Sequence, residues 1–384
     1  MAAPTLPNSM KAIQVVAFGK PYQINTVPVP TKLGPHELLV KVAVASYCHT
    51  DSMVIEGVFG GNKLPLTASH EGSGTVVAVG SSPGSFKVGE RVMCGIFFNA
   101  CGHCVACTTG PECQRQYCTG GYEGNTGAFD TDGFFAEYAR VDARWTTHLP
   151  DSVSLLAAAP LACAGRTIWR GVQQAIQRAE LKKGSWIAIV GSGGGLGHMG
   201  IQFARSAGLR VIGIDARDEA LEVTQKSGAD VVLDARAGQE ATVAAVQKNV
   251  GNNASQGRGG GAEATLVLSD AAEASAFACA VTKNHGTVVQ VAQPEKVIIP
   301  FQEFILRDIR LYGTLVASPQ ESQEMVDFIA QHGLRVQTKT YAGLDKIEEL
   351  LHHVHGGQLK GKATIIVDQA QLDLEQGKVG KSKI

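Results

Sequence analysis

With 384 residues, 44% of them hydrophobic and 18% charged, the chain has the make-up of a globular protein with more apolar mass than one small core needs, which points to two domains. A formal net charge of −1 removes any case from composition for binding nucleic acid or a membrane surface, and no apolar run approaches the roughly 20 residues of a spanning helix. Residues 1–10 carry neither the basic nor the apolar stretch of a secretory signal. The nine cysteines, five of them between Cys101 and Cys118, therefore read as reduced thiols gathered on metal rather than as disulfides.

In chain order, residues 12–18, 37–45, 74–79 and 134–141 are apolar or alternating runs bounded by Gly and Pro, the mark of a small β-rich domain. Within it, Cys48-His49-Thr50-Asp51 and His70-Glu71-Gly72 supply two candidate ligands of an open zinc site. Cys163, in Leu161-Ala162-Cys163-Ala164-Gly165, supplies a third far downstream. A catalytic zinc keeps three protein ligands and one free position, and Cys2His is one set that does so. Two thiolates and a neutral imidazole balance the ion's double charge, so the free position still accepts an anion and suits the activation of an alcohol. Each residue alone also fits a bland role: Cys48 as a buried cysteine, Cys163 as helix packing, His70 as a turn cap. Their neighbours favour chemistry. Asp51 can accept the free N–H of His70, Thr50 offers a hydroxyl able to pass a proton, and Glu71 can approach the metal when water exchanges.

Next comes Cys101-x2-Cys104-x2-Cys107, followed by Cys113 and Cys118. Four cysteines in a compact loop make a closed, structural zinc site, and the turns between the first three offer no apolar face that core packing would need. Spacing alone leaves both Cys113 and Cys118 open as the fourth ligand. Cys94 and Cys279 stand in apolar contexts and read as core, and His352, His353 and His355 as a solvated helix end.

Near Lys182 the pattern changes. The apolar run 186–190 enters the turn Gly191-Ser192-Gly193-Gly194-Gly195-Leu196-Gly197, a helix follows over 196–207, and Asp215 ends the next strand, 211–214. A helix over 219–227 and strands at 231–233, 265–268, 287–291 and 309–313 continue the series. Strands apolar throughout, alternating with helices, predict an α/β domain with a parallel sheet covered on both faces. The glycines let the backbone turn tightly against a pyrophosphate, and an acid at the next strand end takes ribose hydroxyls and repels a 2′-phosphate. Asp215 thus favours NAD over NADP. Gly195, Gly197 and Gly200 spell GxGxxG by letter, but Gly200 falls inside the helix, so an expanded turn from Gly191 to Gly197 is the better reading.

Residues 251–261 are a low-complexity loop, and beyond residue 318 come two amphipathic helices (320–331 and 344–355) and a strand (363–367). The tail ends in Ser382-Lys383-Ile384, one residue away from the peroxisomal address Ser-Lys-Leu. A cytoplasmic protein with a frayed Lys-rich tail is expected, with peroxisomal delivery as the alternative.

These phrases, with Val88-Gly89-Glu90-Arg91-Val92, Asp132-Gly133-Phe134-Phe135-Ala136-Glu137-Tyr138 and Pro160-Leu161-Ala162-Cys163, together resemble the zinc-dependent medium-chain alcohol dehydrogenase family over nearly the whole chain, its yeast-type subgroup most of all. The resemblance implies a GroES-like β-rich catalytic domain over residues 1–167 holding both zinc ions. A Rossmann NAD-binding domain with a doubly wound parallel sheet is inserted over 168–315, and residues 316–384 return to the first domain. It implies that Cys48, His70 and Cys163, with Glu71 at hand, hold a catalytic zinc, and that His49 contacts the cofactor pyrophosphate. Gly194, Gly195 and Leu196 would line the turn, Asp215 would bind the ribose, and Ser269, Val291 and Val316 would lie along the cofactor's path. Tyr117 before Cys118 matches an aromatic often found there, which favours Cys101, Cys104, Cys107 and Cys118 as the structural set. Three departures stand out: Arg115 stands where the family has its fourth structural cysteine, Met53 replaces a histidine that finishes the family's proton relay, and Ala220 and Lys362 replace Lys and Arg that help hold the cofactor.

The resemblance therefore implies an enzyme that interconverts an alcohol and an aldehyde or ketone with NAD(H) and two zinc ions per chain. Its partners would be small molecules and further copies of itself, as a dimer or tetramer. A polyol or secondary-alcohol dehydrogenase, or a pathway reductase on the same fold, is the alternative. A non-catalytic dinucleotide-binding protein is the remote one, and the open ligand set beside Thr50 argues against it.

Overall fold

The structure, a computed structural model, describes residues 6–59, 63–108, 115–118, 131–251, 260–357 and 359–381. It divides into two compact units. One comprises Met1–Arg166, Ala317–Gly333 and Thr338–Ile384; the other comprises Thr167–Val316 and Leu334–Gln337, so the second interrupts the first.

The first unit opens with eight strands: β1 (Ser9–Val15), β2 (Gln23–Pro28), β3 (Glu37–Tyr47), β4 (Leu66–Thr67), β5 (Glu71–Val79), β6 (Arg91–Met93), β7 (Tyr138–Asp142) and β8 (Thr147–His148). The antiparallel order β2-β1-β4 makes one small sheet, and β3 is the spine of a larger one. β3 reads Glu-Leu-Leu-Val-Lys-Val-Ala-Val-Ala-Ser-Tyr and is buried everywhere except at Lys41. Such a run cannot face water, and it pairs with β5 along most of its length and with β7 over Glu37–Lys41. Because β5 begins at Glu71, this pairing sets Ser46 opposite Glu71 and brings Cys48 and His70 to the same end of the sheet. Besides the short helix Val105–Thr108, a longer helix interrupts the strands and turns expected here: His49–Glu56. Its start is fixed by Cys48 and Asp51, which form a reciprocal capping box.

The second unit is a six-stranded parallel sheet of β9 (Trp186–Val190), β10 (Arg210–Asp215), β11 (Val231–Asp234), β12 (Ala262–Val267), β13 (Thr282–Gln290) and β14 (Arg310–Gly313). The order is β11-β10-β9-β12-β13-β14. The reversal at β9 and β12 is a topological switch point, where α/β sheets take their ligands. All five residues of β9 are buried, as the sequence pattern requires. The turn after it runs from Gly191 into the helix Gly197–Ser206, and Gly200 does lie inside that helix.

The chain then returns to the first unit with the helix Pro319–His332, β15 (Thr338–Ala342), the helix Ile347–His355 and β16 (Lys362–Ile366). β16 lies antiparallel to β3 with Ala363 opposite Tyr47, which carries Lys362 to the end of the sheet where Cys48 stands. A helix, Gln369–Lys381, follows β16. Lys41 Nζ to Asp368 (2.6 Å), Arg91 to Glu375, and Thr75 Oγ1 to Gln371 (2.7 Å) pin it down. Residues 382–384 lie outside the described residues.

Candidate active site

Three local devices bring the catalytic candidates together in the first unit. The N–H of Cys48 donates to Asp51 Oδ2 at 2.8 Å, which fixes the cysteine at the head of its helix. Ser69 adopts a left-handed backbone (φ 71°) and its hydroxyl donates to the carbonyl of Ser46 at 2.9 Å, a kink that turns the fully buried His70 and Glu71 inward. The third device follows Pro160. Lacking an N–H, this proline interrupts the helix Leu155–Pro160, and the chain makes one wide π turn, Leu161–Gly165, before the helix Arg166–Arg178. Cys163 sits on that turn.

The result is a cluster of Cys48, His70, Glu71 and Cys163 whose ligand atoms all lie within 4.8 Å of one another. His70 Nδ1 is 3.3 Å from Asp51 Oδ1. Both ring nitrogens lack a hydrogen bond although the residue is fully buried, and the Asp51 contact on Nδ1 leaves Nε2 for the thiols. An orphaned buried imidazole nitrogen facing two thiols fits a soft dication. The hydrogen bond from Cys163 holds the Cys48 thiol well below its usual range, and the same bond raises Cys163: one proton shared by two sulfurs that a metal would displace. Burial opposes protonation of His70, but Asp51 and Cys48 outweigh it and raise the imidazole's affinity for a proton. Thr50 Oγ1 lies 3.9 Å from Cys48 Sγ. Met53 is on the same helix, half-buried.

Glu71 does not stand alone. Its Oε1 accepts from the N–H of Ala164 at 3.1 Å and from Lys362 Nζ at 3.0 Å, and Lys362 lies 2.8 Å from Oε2. Burial pushes the Glu71 carboxyl up to about 7, against the pull of Lys362. Lys362 is likewise kept charged by Glu71 and Cys48 despite burial. The resemblance marks this position only as a departure from an arginine that helps hold the cofactor; in the fold the lysine sits on Glu71. A second basic residue escaped notice. Arg166 is fully buried, with Nη2 donating to Trp145 O (2.8 Å) and Thr147 Oγ1 (2.7 Å), and burial lowers its pKa to about 10. Cys48, Cys163, Glu71 and Asp51 offer four negative charges when ionised; Lys362 and Arg166 return two. A dication completes the balance.

Cys101, Cys104, Cys107 and Cys118 form the other cluster. Their sulfurs stand 3.5 Å (Cys101–Cys118), 3.8 Å (Cys104–Cys118) and 3.9 Å (Cys101–Cys107) apart. These spacings are too long for disulfides and match the edge, about 3.8 Å, of a sulfur tetrahedron around an ion at about 2.3 Å. Cys118, not Arg115, joins the first three; Cys113 lies outside the described residues. Cys94 and Cys279 are buried apart from both clusters, as expected for core.

In the second unit, Gly191 has φ +85°, and a Cβ on Gly193 would meet the carbonyl oxygen of Ala220 at 2.0 Å, so the turn packs directly on the helix Asp218–Lys226. Asp215 Oδ2 accepts from the N–H of Gly193 at 3.0 Å, tying the turn to the end of β10. A cleft of about 450 Å³ opens there, lined by Gly191, Asp215, Ala216, Ser269 and Phe277 among others. Gly194, Gly195 and Leu196 are half-buried at the turn. Val291 and Val316 are buried and do not line this cleft, and Ala220 is buried beneath the turn. His49 belongs to the first unit and is exposed at the head of its helix.

The family described as "Alcohol dehydrogenase GroES-like domain" matches residues 34–151, and "Zinc-binding dehydrogenase" matches residues 195–331. An alcohol dehydrogenase of Geobacillus stearothermophilus is 33% identical over 364 residues, covering 94% of this chain and 100% of that protein. Among solved structures, the alcohol dehydrogenase of the hyperthermophilic archaeon Aeropyrum pernix superposes with a TM-score of 0.81 at 29% identity, covering 93% of this chain and 99% of that one. A zinc-binding dehydrogenase of Sinorhizobium meliloti, solved bound to NADP, gives 0.79 at 26% identity, covering 94% and 100%.

Proposed function

The chain belongs to the zinc-dependent medium-chain alcohol dehydrogenase family, and from that premise we propose that it oxidises a small alcohol, or reduces the matching aldehyde or ketone, with NAD(H). The observation that carries the reading is the convergence of Cys48, His70 and Cys163 in one buried cluster with Asp51 behind the imidazole. Cys48, His70 and Cys163 would hold the catalytic zinc, which when bound acts as a Lewis acid and lowers the pKa of the alcohol. Asp51 orients His70 and fixes its tautomer. Thr50 would take the proton of the alcohol's hydroxyl, and Met53 offers no imidazole to carry it further, so the onward transfer would fall to water or to hydroxyls that a bound ligand brings. Lys362 and the N–H of Ala164 hold the Glu71 carboxylate in place beside the cluster. The cleft beside Asp215 is the adenosine end of the dinucleotide site, and NAD supplies the hydride acceptor. Cys101, Cys104, Cys107 and Cys118 would hold a second, structural zinc.

We place the protein in the cytoplasm, because six cysteines held for metal need a reducing compartment. We also read it as a homo-oligomer joined through the β14 edge. The deciding experiment follows NADH and NADPH absorbance over a panel of primary, secondary and polyol substrates and measures zinc on the same sample. NAD-linked turnover with two zinc ions per chain is expected. Turnover in a zinc-free Cys48→Ala/His70→Ala variant, or equal kcat/KM with NADP, would overturn the corresponding half.

A further inference from the structure

The helix that begins at the glycine turn carries two side chains that the reaction above leaves unused. His198 is 1% exposed, and Gln202 follows it one turn later on the same face. His198 Nδ1 lies 3.1 Å from the carbonyl oxygen of Gly194, and its Nε2 lies 3.1 Å from the N–H of Gln337. A carbonyl only accepts and an N–H only donates, so Nδ1 carries the proton and Nε2 accepts. The Gln202 amide meets Arg335 twice: Nε2 donates to its carbonyl at 2.8 Å, and Oε1 accepts from its N–H at 3.0 Å. Residues i and i+4 of a helix are about 6 Å apart along the axis, and residues i and i+2 of an extended strand about 6.7 Å. That match lets positions 198 and 202 grip positions 335 and 337, the short segment by which the returning chain belongs to the second unit.

The bond to Gly194 bears on the cofactor. In a trans peptide the Gly194 C=O and the Gly195 N–H point in opposite directions. Gly194 O already accepts from the His198 backbone N–H at 3.2 Å, and the imidazole adds a second bond, so the oxygen is held toward the helix. The Gly195 N–H is thereby aimed outward from the helix N-terminus, toward the place a pyrophosphate takes there. A peptide between two glycines meets the least steric resistance to flipping, and the flipped form would turn the carbonyl oxygen toward the phosphates. We infer that His198 is a positioning residue for the dinucleotide: it locks the Gly194–Gly195 peptide in the anion-binding sense, while its other nitrogen and Gln202 anchor segment 334–337 as structural support.

The inference rests on the dinucleotide reading above, and two conservative variants separate the two bonds. The Asn amide overlays Nδ1 of histidine and the Gln amide overlays Nε2. H198N therefore keeps a donor for Gly194, and H198Q keeps an acceptor for Gln337. NADH binding is measured by calorimetry on the zinc-loaded protein, with thermal melts and steady-state kinetics on the same samples. H198N is expected to bind NADH within about twofold of the unsubstituted protein, and H198Q about three- to tenfold more weakly, the worth of one hydrogen bond. Both should lower Tm alike, and H198Q should raise KM for NAD while leaving kcat at saturation near its starting value. Gln202→Leu, which loosens the segment but not the turn, should bind NADH normally. H198A lacks both bonds and must bind at least as weakly as H198Q, which serves if H198Q does not fold. Equal weakening in H198N and H198Q, or unchanged binding in H198Q and H198A, overturns the lock. Failure of the unsubstituted protein to bind NADH would instead sink the dinucleotide reading itself.

Discussion

At the scale of single residues, the buried pair Glu71–Lys362 is where the site is most exposed to damage. Both side chains are out of water, so removing one partner strands the other's charge, at a cost of about 3–5 kcal/mol. Lys362→Met is therefore expected to lose that much in urea unfolding of the zinc-loaded protein. Adding Glu71→Gln to it should recover most of the loss, and a double variant no more stable than the single one would show that the pair's geometry, not its charge, is what matters. The free thiols give a pH prediction. Burial pushes Cys94 up to about 12, against the pull of Arg166, whereas an unfolded thiol ionises near 9. The native state thus keeps the proton longer, and stability is lost as pH rises from about 9 toward 12. Cys94→Ala should flatten the stability–pH slope in that window, and an unchanged slope would place the alkaline loss elsewhere. Chelation should expose the six cluster cysteines to a thiol reagent while Cys94 and Cys279 stay protected until the protein unfolds. The members of the two Cys-rich clusters could be picked out in the sequence because each sits in a short phrase whose neighbours share the chemistry. Lys362 could not be read there: it reaches Glu71 across 291 positions, and only the pairing of β16 with β3 brings it in. Arg166 and Ser69 were hidden for a related reason, since neither burial nor a left-handed backbone is written in residue type.

At the scale of elements, apolar strands were legible wherever both faces are covered. β9 and β3 stand almost where the patterning puts them, because strands covered on both faces read as nearly continuous apolar runs. Short helices within the β-rich unit were not legible. His49–Glu56 buries only Asp51 and Val54, so it has almost no apolar face to announce it; the capping pair Cys48 and Asp51 was the available signal. The terminal helix Gln369–Lys381 is held by polar anchors, which no hydrophobic period reports. Burial opposes the charge of Asp368, but hydrogen bonds from Lys41 and Gln371 outweigh it and keep the carboxyl below its usual range. The turn after β9 gives a prediction proper to this scale. At Gly193 even a methyl group would overlap the Ala220 carbonyl, a backbone atom that cannot swing aside. Gly193→Ala should force the turn off the helix beneath it, costing about 1–3 kcal/mol. NADH binding should fail, whereas zinc content and the melting of the first unit should be preserved. Retained NADH affinity in Gly193→Ala would mean that the turn adapts and is not the binding element.

At the scale of the whole molecule, the open question is what covers the β14 side of the second unit. β14 pairs only with β13 among the described residues, so its other edge offers unpaired backbone groups. Just before it, Ile298, Phe301, Ile305 and Leu306 are 62–73% exposed, and Val297 and Phe304 are exposed as well. Six large apolar side chains within ten positions beside an open strand edge form the kind of surface that aggregates unless something occupies it. A second copy of the chain offers the same edge and the same apolar segment, and a two-fold arrangement lets each cover the other while continuing the sheet. The protein is therefore expected to elute as a dimer or a multiple of one, its mass set by light scattering. Ile305→Asp combined with Leu306→Asp would place two charges on each copy at the centre of that contact, where burying them unpaired is costly. The pair should yield monomers that still carry two zinc ions per chain. A monomeric unsubstituted protein, or a double variant with unchanged mass, would assign this apolar edge to some other occupant.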